Sequence, residues 1–322
     1  ALGVVAVHDP GAVSPDTKLL AFDAYAALSD AGDLPIRVHA SLRPDSLGTA
    51  ISRRLRSGAR LGDDPDGRAR IGWLKLFADG TLGSGTAALL EPREETSDLG
   101  LFRQAHEELA DLTRRAAGAG IATQIHAIGD AAVRAALDAL EPSSPVVPLM
   151  PRVEHVQLVH PSDRGRFAAS GIVASVQPVH LREDADTARR DWGERAEAWG
   201  YTWRTLLDEG ALLAFGTDAP VEPIDPWPGI ALAVLRRDPS WGPDASPYGP
   251  HESLDLETAL RAATLGPAIA ARESDRGRLV PGARADIVVL PASPRERDAE
   301  GGGFAQVRPR LVLLDGEAVV EV

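Results

Sequence analysis

A lysine stands at the centre of a short apolar run, and its amine is a reactive group in an unusual setting. The run is GWLKLFAD, from Gly72 to Asp79, and its length and composition are typical of a buried strand. Alternation along a strand places Trp73, Lys75, Phe77 and Asp79 on one face. Because an isolated buried ammonium is costly, Lys75 is predicted either to meet an acidic partner or to lose its proton.

Residue usage indicates that position 75 needs an amine. The chain has 34 lysines and arginines together, and Lys75 and Lys18 are the two lysines among them. Arginine stays protonated in proteins, whereas a buried lysine can become neutral and act as a nucleophile. A neutral Lys75 can form a Schiff base, or it can take up carbon dioxide and become a carbamate that binds metal. The structural alternative is a buried ion pair with Asp79 or another acid.

Two histidines and an aspartate lie in or at the ends of later apolar runs. His126 and His155 lie in the runs QIHAI and RVEHVQL, and Asp218 closes the run LLAFGTD. Together with a modified Lys75 they offer the nitrogen and oxygen ligands that suit zinc, with another divalent ion as the alternative. Taken alone, each histidine is more often a hydrogen-bonded core residue than a ligand, and Asp218 can be a loop cap before Pro220.

These side chains need a scaffold that brings successive strand ends together, and the sequence predicts one. Seven strand-like runs alternate with helical patterns, which is the arrangement of parallel β/α units. Because the site residues fall in the carboxyl-terminal halves of these runs, they are predicted to meet at one end of a β/α barrel. The predicted strands are Gly3–Asp9, Ile36–Leu42, Gly72–Asp79, Ile121–Ile128, Arg152–Leu158, Ile172–Gln177 and Leu212–Asp218.

Helical patterns fill most of the connections between the strands. A loop over residues 80–100 is rich in Gly, Ser, Thr and acids, and loops of this length in compact domains are usually functional or disordered. After the last helix, Arg278–Leu290 and Arg308–Val322 are predicted strands of a small β appendage. The predicted helices are Asp16–Ala31, Gly48–Ser57, Gln104–Ala117, Asp130–Leu140, Pro161–Ser170, Asp191–Asp208 and Leu256–Ala271.

The composition excludes several classes of function. With 322 residues, of which 44% are apolar, the chain can form one large domain or two smaller ones. A net charge of −13 argues against binding to nucleic acid or to an anionic membrane. The sequence has no cysteine, no run of about 18 apolar residues and no visible signal peptide. We expect a cytoplasmic protein that acts on a small-molecule substrate and can form a homo-oligomer.

Five ordered motifs resemble those of a known family. The motifs are KLFADGTLGS, QIHAIGDAAV, RVEHVQL, SVQPVH and FGTDAPV, and together they resemble the metal-dependent amidohydrolase superfamily. Within it, the chain is similar to the branch that contains N-substituted formamide deformylase. The C-terminal runs RGRLVPGARADIVVL and VLLDGEAVV resemble the end of that family's small β-sandwich.

The resemblance implies a metal site with one or two Zn²⁺ ions. Lys75 matches the family's fourth-strand lysine, which is often carboxylated to bridge two metals. His126 and His155 match the histidine ligands of the fifth and sixth strands. Asp218 matches the eighth-strand aspartate, which binds metal and takes a proton from the attacking water.

The resemblance also implies contacts with substrate. His180, in QPVH, matches a pocket position that meets substrate, and Asp79, in KLFADG, is expected to join it there. One departure concerns this side of the site, because the family loop usually reads GSRTA and this chain reads GSGTA. Gly85 therefore stands where the family has an arginine.

A second departure concerns the first strand of the family fold. That strand carries an HxH pair that binds the more buried metal, and this sequence has no HxH. A parallel barrel without its first strand leaves two unpaired edges, which is unfavourable. We therefore expect the gene product to extend upstream of Ala1, with half of the sandwich and an HxH strand there. The 322-residue piece alone is expected to bind metal weakly or at one site, and to be poorly stable.

These inferences combine into one prediction of fold and function. The predicted fold is α/β, a TIM-type (β/α)8 barrel lacking its first strand over residues 1–275, with a partial β-sandwich over residues 276–322. The predicted function is metal-dependent hydrolysis of an amide or formamide-type C–N bond in a small neutral or cationic molecule, with Asp218 as general base. The alternatives are an inactive scaffold that binds a small molecule or partner, and a Schiff-base enzyme that uses Lys75.

Overall fold

Seven parallel strands form the main sheet of the protein. The computed structural model describes residues 2–11, 15–242, 244–298 and 303–321. The strands follow one another in sequence order across the sheet, and each overlaps one of the seven predicted runs. They are β1 Ala6–Asp9, β2 Arg37–Leu42, β3 Ala69–Phe77, β4 Thr123–Ala127, β5 Arg152–His155, β6 Val173–Val176 and β7 Leu213–Phe215.

The sheet curls so that distant strands approach each other. A flat sheet would separate β1 from β5 by four strand spacings, roughly 19 Å. Instead, Arg152 on β5 donates a hydrogen bond of 2.8 Å to Nδ1 of His8 on β1. Within the described ranges, β1 and β7 each pair with a single neighbour. The seven strands therefore form an open, curled half-barrel with an interior.

Alternate residues of each strand face the two sides of this curled sheet. Leu74, Leu76, Ile125 and Val153 belong to the main apolar core, which also contains helix residues. Burying each of these large side chains contributes about 2 kcal/mol. Lys75, between Leu74 and Leu76, faces the interior instead, and the register places the carboxyl ends of the strands at a similar level.

Helices cover the outer side of the sheet. On the helix Leu256–Ala270, Gly266 lies against β7 so closely that a Cβ atom there would be 2.1 Å from the carbonyl oxygen of Leu213. In the part of the chain that the structure describes, no helix is both long and apolar enough to cross a membrane. The helices are α1 Leu20–Asp30, α2 Leu47–Ser52, α3 His106–Gly118, α4 Asp130–Leu140, α5 Arg164–Ser170, α6 Leu181–Trp192, α7 Arg195–Trp199, α8 Trp203–Asp208, α9 Pro226–Leu235, α10 Leu256–Ala270 and α11 Pro294–Asp298.

Two helices of the half-barrel differ from the prediction, and so does α11 in the β appendage, where no helix was predicted. Helix α9, with the sequence PWPGIALAVL, was not predicted, because its apolar residues show no helical periodicity and prolines and a glycine fill its first turns. Helix α6 lies mostly before the predicted helical region Asp191–Asp208. It was not predicted because its sequence LREDADTARRDW is largely polar. Both helices follow strand ends and therefore help to position the loops above the interior.

A small antiparallel sheet near the carboxyl terminus packs on the half-barrel. It contains β8 Ile287–Val289, β9 Leu311–Leu314 and β10 Glu317–Glu321, in the order β10-β9-β8. Arg37 at the start of β2 is buried and bonds Asp286 at 2.7 Å. The sheet agrees with the predicted β appendage, although Val322 lies outside the described residues. The division at residue 275 remains a prediction.

Candidate metal centre

Three side chains that follow consecutive strands converge at the carboxyl end of the half-barrel. His155 ends β5, His180 ends the 3-10 turn after β6, and Asp218 lies beyond β7. One ring nitrogen of each histidine and one carboxylate oxygen of Asp218 all lie within 4.8 Å of one another. Nε2 of His180 is 3.4 Å from Oδ2 of Asp218. Parallel strands thus deliver two nitrogen donors and one oxygen donor to a single point.

The backbone at two of these residues has a conformation that is rare outside glycine. His155 has φ 76°, Val156 has φ 49° and Asp218 has φ 60°. Such left-handed conformations cost energy and concentrate at functional sites. Strict alternation would place His155 on the opposite face from Glu154, yet both side chains face the interior. The left-handed turn at the end of β5 explains how His155 reaches the site.

His126 lies next to this group of three. Its ring centroid is 4.5 Å from that of His155. Its Nε2 is 2.7 Å from the carbonyl oxygen of Gly80 and 3.3 Å from Oδ1 of Asp79. A histidine that binds metal through one ring nitrogen usually donates the other N–H to a carbonyl or carboxylate. Among the described residues, His126 does not belong to the group of three, and its predicted ligand role stays a prediction.

Lys75 faces the same interior from β3 and is 5% exposed. Burial lowers its pKa to about 8, while the charges of Glu154 and Asp218 oppose this shift and those of Arg152 and Arg43 add to it. At that pKa, about a tenth of the amine is neutral at pH 7. The acids that affect Lys75 are therefore Glu154 and Asp218, and not Asp79, which was named in the ion-pair alternative.

The electrostatic surroundings shift the pKa values of His155 and His180 in opposite directions. Burial lowers the pKa of His155 well below its usual value, and the charges of His126, Lys75 and His180 act in the same direction. Burial also opposes the protonation of His180, but a hydrogen bond to Asp218 and nearby acids outweigh it and raise its pKa. His155 is therefore neutral, which is the form of imidazole that binds metal.

The donor set fits a divalent metal ion. In the described part of the chain, the buried Nδ1 of His155 makes no hydrogen bond. A buried polar atom without a partner needs an explanation, and a ligand that belongs there is one. Two imidazole nitrogens with a carboxylate, beside a buried lysine, are donors that suit zinc and related ions.

Asp79, whose contact with substrate stays a prediction, binds backbone groups of two loops. Its carboxylate is fully buried, and it accepts N–H groups from Ala88 and Gly129 at 2.9 Å and from Ile128 at 3.1 Å. These bonds tie the loop after β3 to the turn after β4. Since both oxygens are committed to backbone groups, Asp79 holds these loops together.

A charged network below Lys75 was not predicted from the sequence. Nε of Arg152 lies 2.6 Å from Oε1 of Glu154 in an ion pair and donates a hydrogen bond to Oε1 of Gln124 at 3.0 Å. The guanidinium of Arg152 lies 4.0 Å from the ring of Trp73. Alternation along RVEH places Arg152 and Glu154 on one face, so this signal was present in the sequence. The network separates the metal centre from the other end of the half-barrel.

The fold and the donors together define a class of protein. A curled parallel β/α sheet with histidine and carboxylate donors beyond its strands is the arrangement of barrel-type metal-dependent hydrolases. The model of the amidohydrolase family matches residues 1–320, and this chain therefore belongs to that family. The resemblance inferred from the five motifs is confirmed.

Individual relatives agree with this assignment. YtcJ of Bacillus subtilis (strain 168) is 32% identical over 300 residues, which are 92% of this chain and 55% of YtcJ. N-substituted formamide deformylase of Arthrobacter pascens is 27% identical over 259 residues, 77% of this chain and 45% of the enzyme. An uncharacterized metal-dependent hydrolase from Pyrococcus horikoshii OT3 has a similar structure, with a TM-score of 0.74 and 33% identity over 87% of this chain and 54% of that one. The chain thus spans about half the length of these relatives.

Proposed function

We propose that this chain carries the metal site of a hydrolase that cleaves an amide or formamide-type C–N bond in a small molecule. The observation that carries the proposal is the convergence of the donor atoms of His155, His180 and Asp218 within 4.8 Å. Membership of the amidohydrolase family supports metal-dependent hydrolysis. The type of bond is inferred from the similarity to N-substituted formamide deformylase.

The residues that would hold the metal are His155 and Asp218, with His126 and Lys75 beside them. A bound Zn²⁺ or other divalent ion would activate water and polarise a carbonyl group. The carboxylate of Asp218 has a side-chain exposure of 31%, so it can exchange a proton with a molecule in the pocket. It therefore serves as the general base and passes the proton to the departing amine.

His180 orients the base in this proposal. It lies between two acids, with Nε2 3.4 Å from Asp218 and Nδ1 3.8 Å from Glu222. Without metal, its raised pKa favours a protonated ring paired with Oδ2 of Asp218, and a metal at the three donors would take the place of that proton. At the mouth of the pocket, the same ring can also contact substrate, as the family resemblance implies.

We further propose that Lys75 becomes a carbamate. Carboxylation needs a neutral amine, and a pKa of about 8 provides one in useful amounts. The product would carry a negative charge, so that Arg152 and Arg43, which now repel the ammonium, would attract it. The competing Schiff-base function needs the same neutral amine, and borohydride trapping with a carbonyl substrate distinguishes the two.

The complete barrel also belongs to the proposal. The slot between β1 and β7 in the described sheet would accommodate the remaining strand of a (β/α)8 barrel. We also propose that the whole protein acts on a small-molecule substrate and assembles into a homo-oligomer.

The test is metal-dependent turnover of a substrate panel. The purified protein is treated with a chelator, reloaded with Zn²⁺, and assayed on N-formyl and N-acyl amines. We expect C–N hydrolysis that returns with metal and is lost in Asp218→Asn, but not in Arg114→Gln on the exposed surface of α3. Zinc binding without turnover of any substrate would favour the inactive scaffold. Reductive trapping of a carbonyl compound on Lys75 would favour the Schiff-base enzyme.

A further inference from the structure

A cavity lies at the amino end of the half-barrel, on the opposite side from the metal centre, and has a volume of about 540 Å³. His39 and Arg70 line it from the amino-terminal halves of β2 and β3. Arg272 and Arg276 line it from the segment that follows α10. Arg272 and Ser274 are exposed, so a molecule can enter from solvent. The proposed function makes no use of this amino-end cavity.

Buried polar groups of this cavity lack hydrogen-bond partners. His39 is 1% exposed, and in the part of the chain that the structure describes neither of its ring nitrogens forms a hydrogen bond. The buried Nε atoms of Arg70 and Arg276 lack an acceptor there as well. Buried polar groups in native proteins are nearly always paired, and an unpaired one needs an explanation. Unpaired N–H groups on three separate segments indicate a ligand that offers several acceptor atoms.

The carboxylate of Glu273 does not satisfy these groups. Its Oε1 is 2.7 Å from Nη1 of Arg276, which it binds directly. The same oxygen lies 3.7 Å from Nε2 of His39 and 3.8 Å from Nε of Arg70. Both distances are too long for a hydrogen bond. Glu273 therefore compensates the charge of one arginine and leaves the other donors of the cavity without an acceptor.

Cations outnumber acids in the wall of the cavity. Asp275 is the second acid of the wall, and its Oδ2 bonds Nε of Arg284 at 3.1 Å. Arg272 is exposed, and across residues 2–11, 15–242, 244–298 and 303–321 its side chain forms no ion pair or hydrogen bond. The described wall thus carries three arginines and two carboxylates, and the guanidinium of Arg272 has no counter-ion.

The potential at His39 is positive as well. Burial lowers the pKa of His39 to about 3, and the charges of Arg70, Arg276 and Arg152 act in the same direction. The ring is therefore neutral at pH 7 and offers one N–H donor. A neutral donor surrounded by guanidinium groups favours an anion and disfavours a metal cation.

We propose that the amino-end cavity binds a phosphate group, held by His39, Arg70 and Arg272. A phosphate group has three strong acceptor oxygens, which suit donors that come from three separate segments. Guanidinium groups form charge-assisted hydrogen bonds with such oxygens. The volume of the cavity is within the range of small-molecule sites, so the group can be the free ion or part of a phosphorylated small molecule. Because this site involves neither the metal nor turnover, its failure would leave the proposed function intact.

The test is calorimetric titration of the purified chain, without added zinc, with inorganic phosphate and with glycerol 3-phosphate at constant ionic strength. We expect saturable binding at one site. Arg272→Gln should weaken this binding at least about 10-fold, because charge-assisted hydrogen bonds contribute on this order. Since Arg272 is exposed, the variant should keep the urea unfolding midpoint of the wild type. Arg114→Gln, on the exposed surface of α3, is the matched control and should bind phosphate as the wild type does.

Two outcomes would overturn the inference. Equal phosphate affinity in the wild type and in Arg272→Gln would mean an adventitious ion only. No saturable binding up to about 10 mM phosphate would show that the arginines serve only to hold Glu273. Arg70→Gln is a second variant and should weaken binding in the same direction as Arg272→Gln. Where binding depends on Arg272, a higher affinity for glycerol 3-phosphate would identify a phosphorylated small molecule as the ligand, and an equal or lower one the phosphate ion itself.

Discussion

Both ends of the half-barrel bury histidines among charged groups, but they arrange them differently. At the carboxyl end, His155, His180 and Asp218 bring their donor atoms within 4.8 Å of one another. At the amino end, His39 lies 3.7 Å from Glu273 at a cavity of about 540 Å³. The first arrangement leaves donors facing a shared space, whereas the second places one histidine beside a carboxylate that arginine already binds.

The charges explain the difference. Burial lowers the pKa of His39 to about 3, and Arg70, Arg276 and Arg152 add to the shift. Glu273 bonds Arg276 at 2.7 Å, so its charge is already compensated. The cluster at the amino end is therefore expected to stabilise the fold, whereas the cluster at the carboxyl end is expected to bind metal and take part in catalysis. A buried polar cluster indicates a metal site where several donor atoms converge on one point.

The largest effect is expected from Asp218→Asn at the carboxyl end. Loss of the general base should lower kcat by about 10³-fold, because positioned bases contribute on the order of 10²–10⁴-fold. Since the side chain is partly exposed, the urea unfolding midpoint should stay nearly unchanged. Steady-state kinetics and urea titration on the same preparation check both parts. Full activity in this variant would remove Asp218 from the mechanism.

Lys75→Arg should lower turnover at least about 100-fold, although it keeps a positive charge and a similar length. Arginine cannot form the carbamate, and it cannot become neutral. Lys18→Arg is the matched control, because Lys18 is exposed and is the other lysine of the chain. Partial rescue of Lys75→Ala by a short carboxylic acid would support the carbamate. Retained turnover of Lys75→Arg at unchanged metal content would refute it.

At the amino end, Arg276→Met should reduce stability and leave metal binding unchanged. The side chain of Arg276 is 6% exposed, and its removal leaves Glu273 without its closest cation. Breaking a buried pair in this way costs about 3 kcal/mol. Urea unfolding measures the loss, and zinc titration of the folded protein provides the control. An equal loss of zinc affinity would show that the two ends are coupled.

His39 at the amino end and His180 at the carboxyl end should contribute to the pH dependence of stability with opposite signs. His39 has a pKa near 6.5 when unfolded and about 3 when folded, so only the unfolded state takes up a proton between these values. Its contribution is present above pH 6.5 and falls by about 1.4 kcal/mol per pH unit below it. The raised pKa of His180 gives a contribution that is present below pH 6.5 and lost at higher pH. Metal-free His39→Asn should unfold with a shallower pH dependence between pH 6 and pH 4 than the wild type, and an unchanged slope would contradict this assignment.

The sequence predicts the strands of this fold better than the directions of its side chains. Short apolar runs such as the one around Lys75 are bounded by glycine, proline and acids, so all seven strands were predictable. Alternation correctly groups Trp73, Lys75 and Phe77. It fails at His155, where a left-handed residue ends β5 and reverses the expected face. Such a turn depends on tertiary packing and leaves no periodic signal.

The hydrogen-bond partners of the acids were less predictable from the sequence than the positions of the strands. Asp79 lies in a motif shared with the family, yet its carboxylate binds the backbone N–H groups of Ala88, Ile128 and Gly129. Whether a carboxylate faces backbone or pocket depends on the path of a loop 50 residues away in sequence, at Gly129. Glu154 is the opposite case, because alternation along the strand implies that it pairs with Arg152. The prediction did not include this pair, because it considered only the neighbouring His155.

The most direct test of the account is the location of zinc in crystals of the zinc-soaked protein, measured by anomalous scattering at the zinc edge. The account predicts a peak at the carboxyl end of the half-barrel, about 2.0–2.2 Å from a ring nitrogen of His155 and a carboxylate oxygen of Asp218. It predicts no peak beside His39. Zinc at the amino end, or no ordered zinc near His155 at saturating concentration, would contradict the central claim.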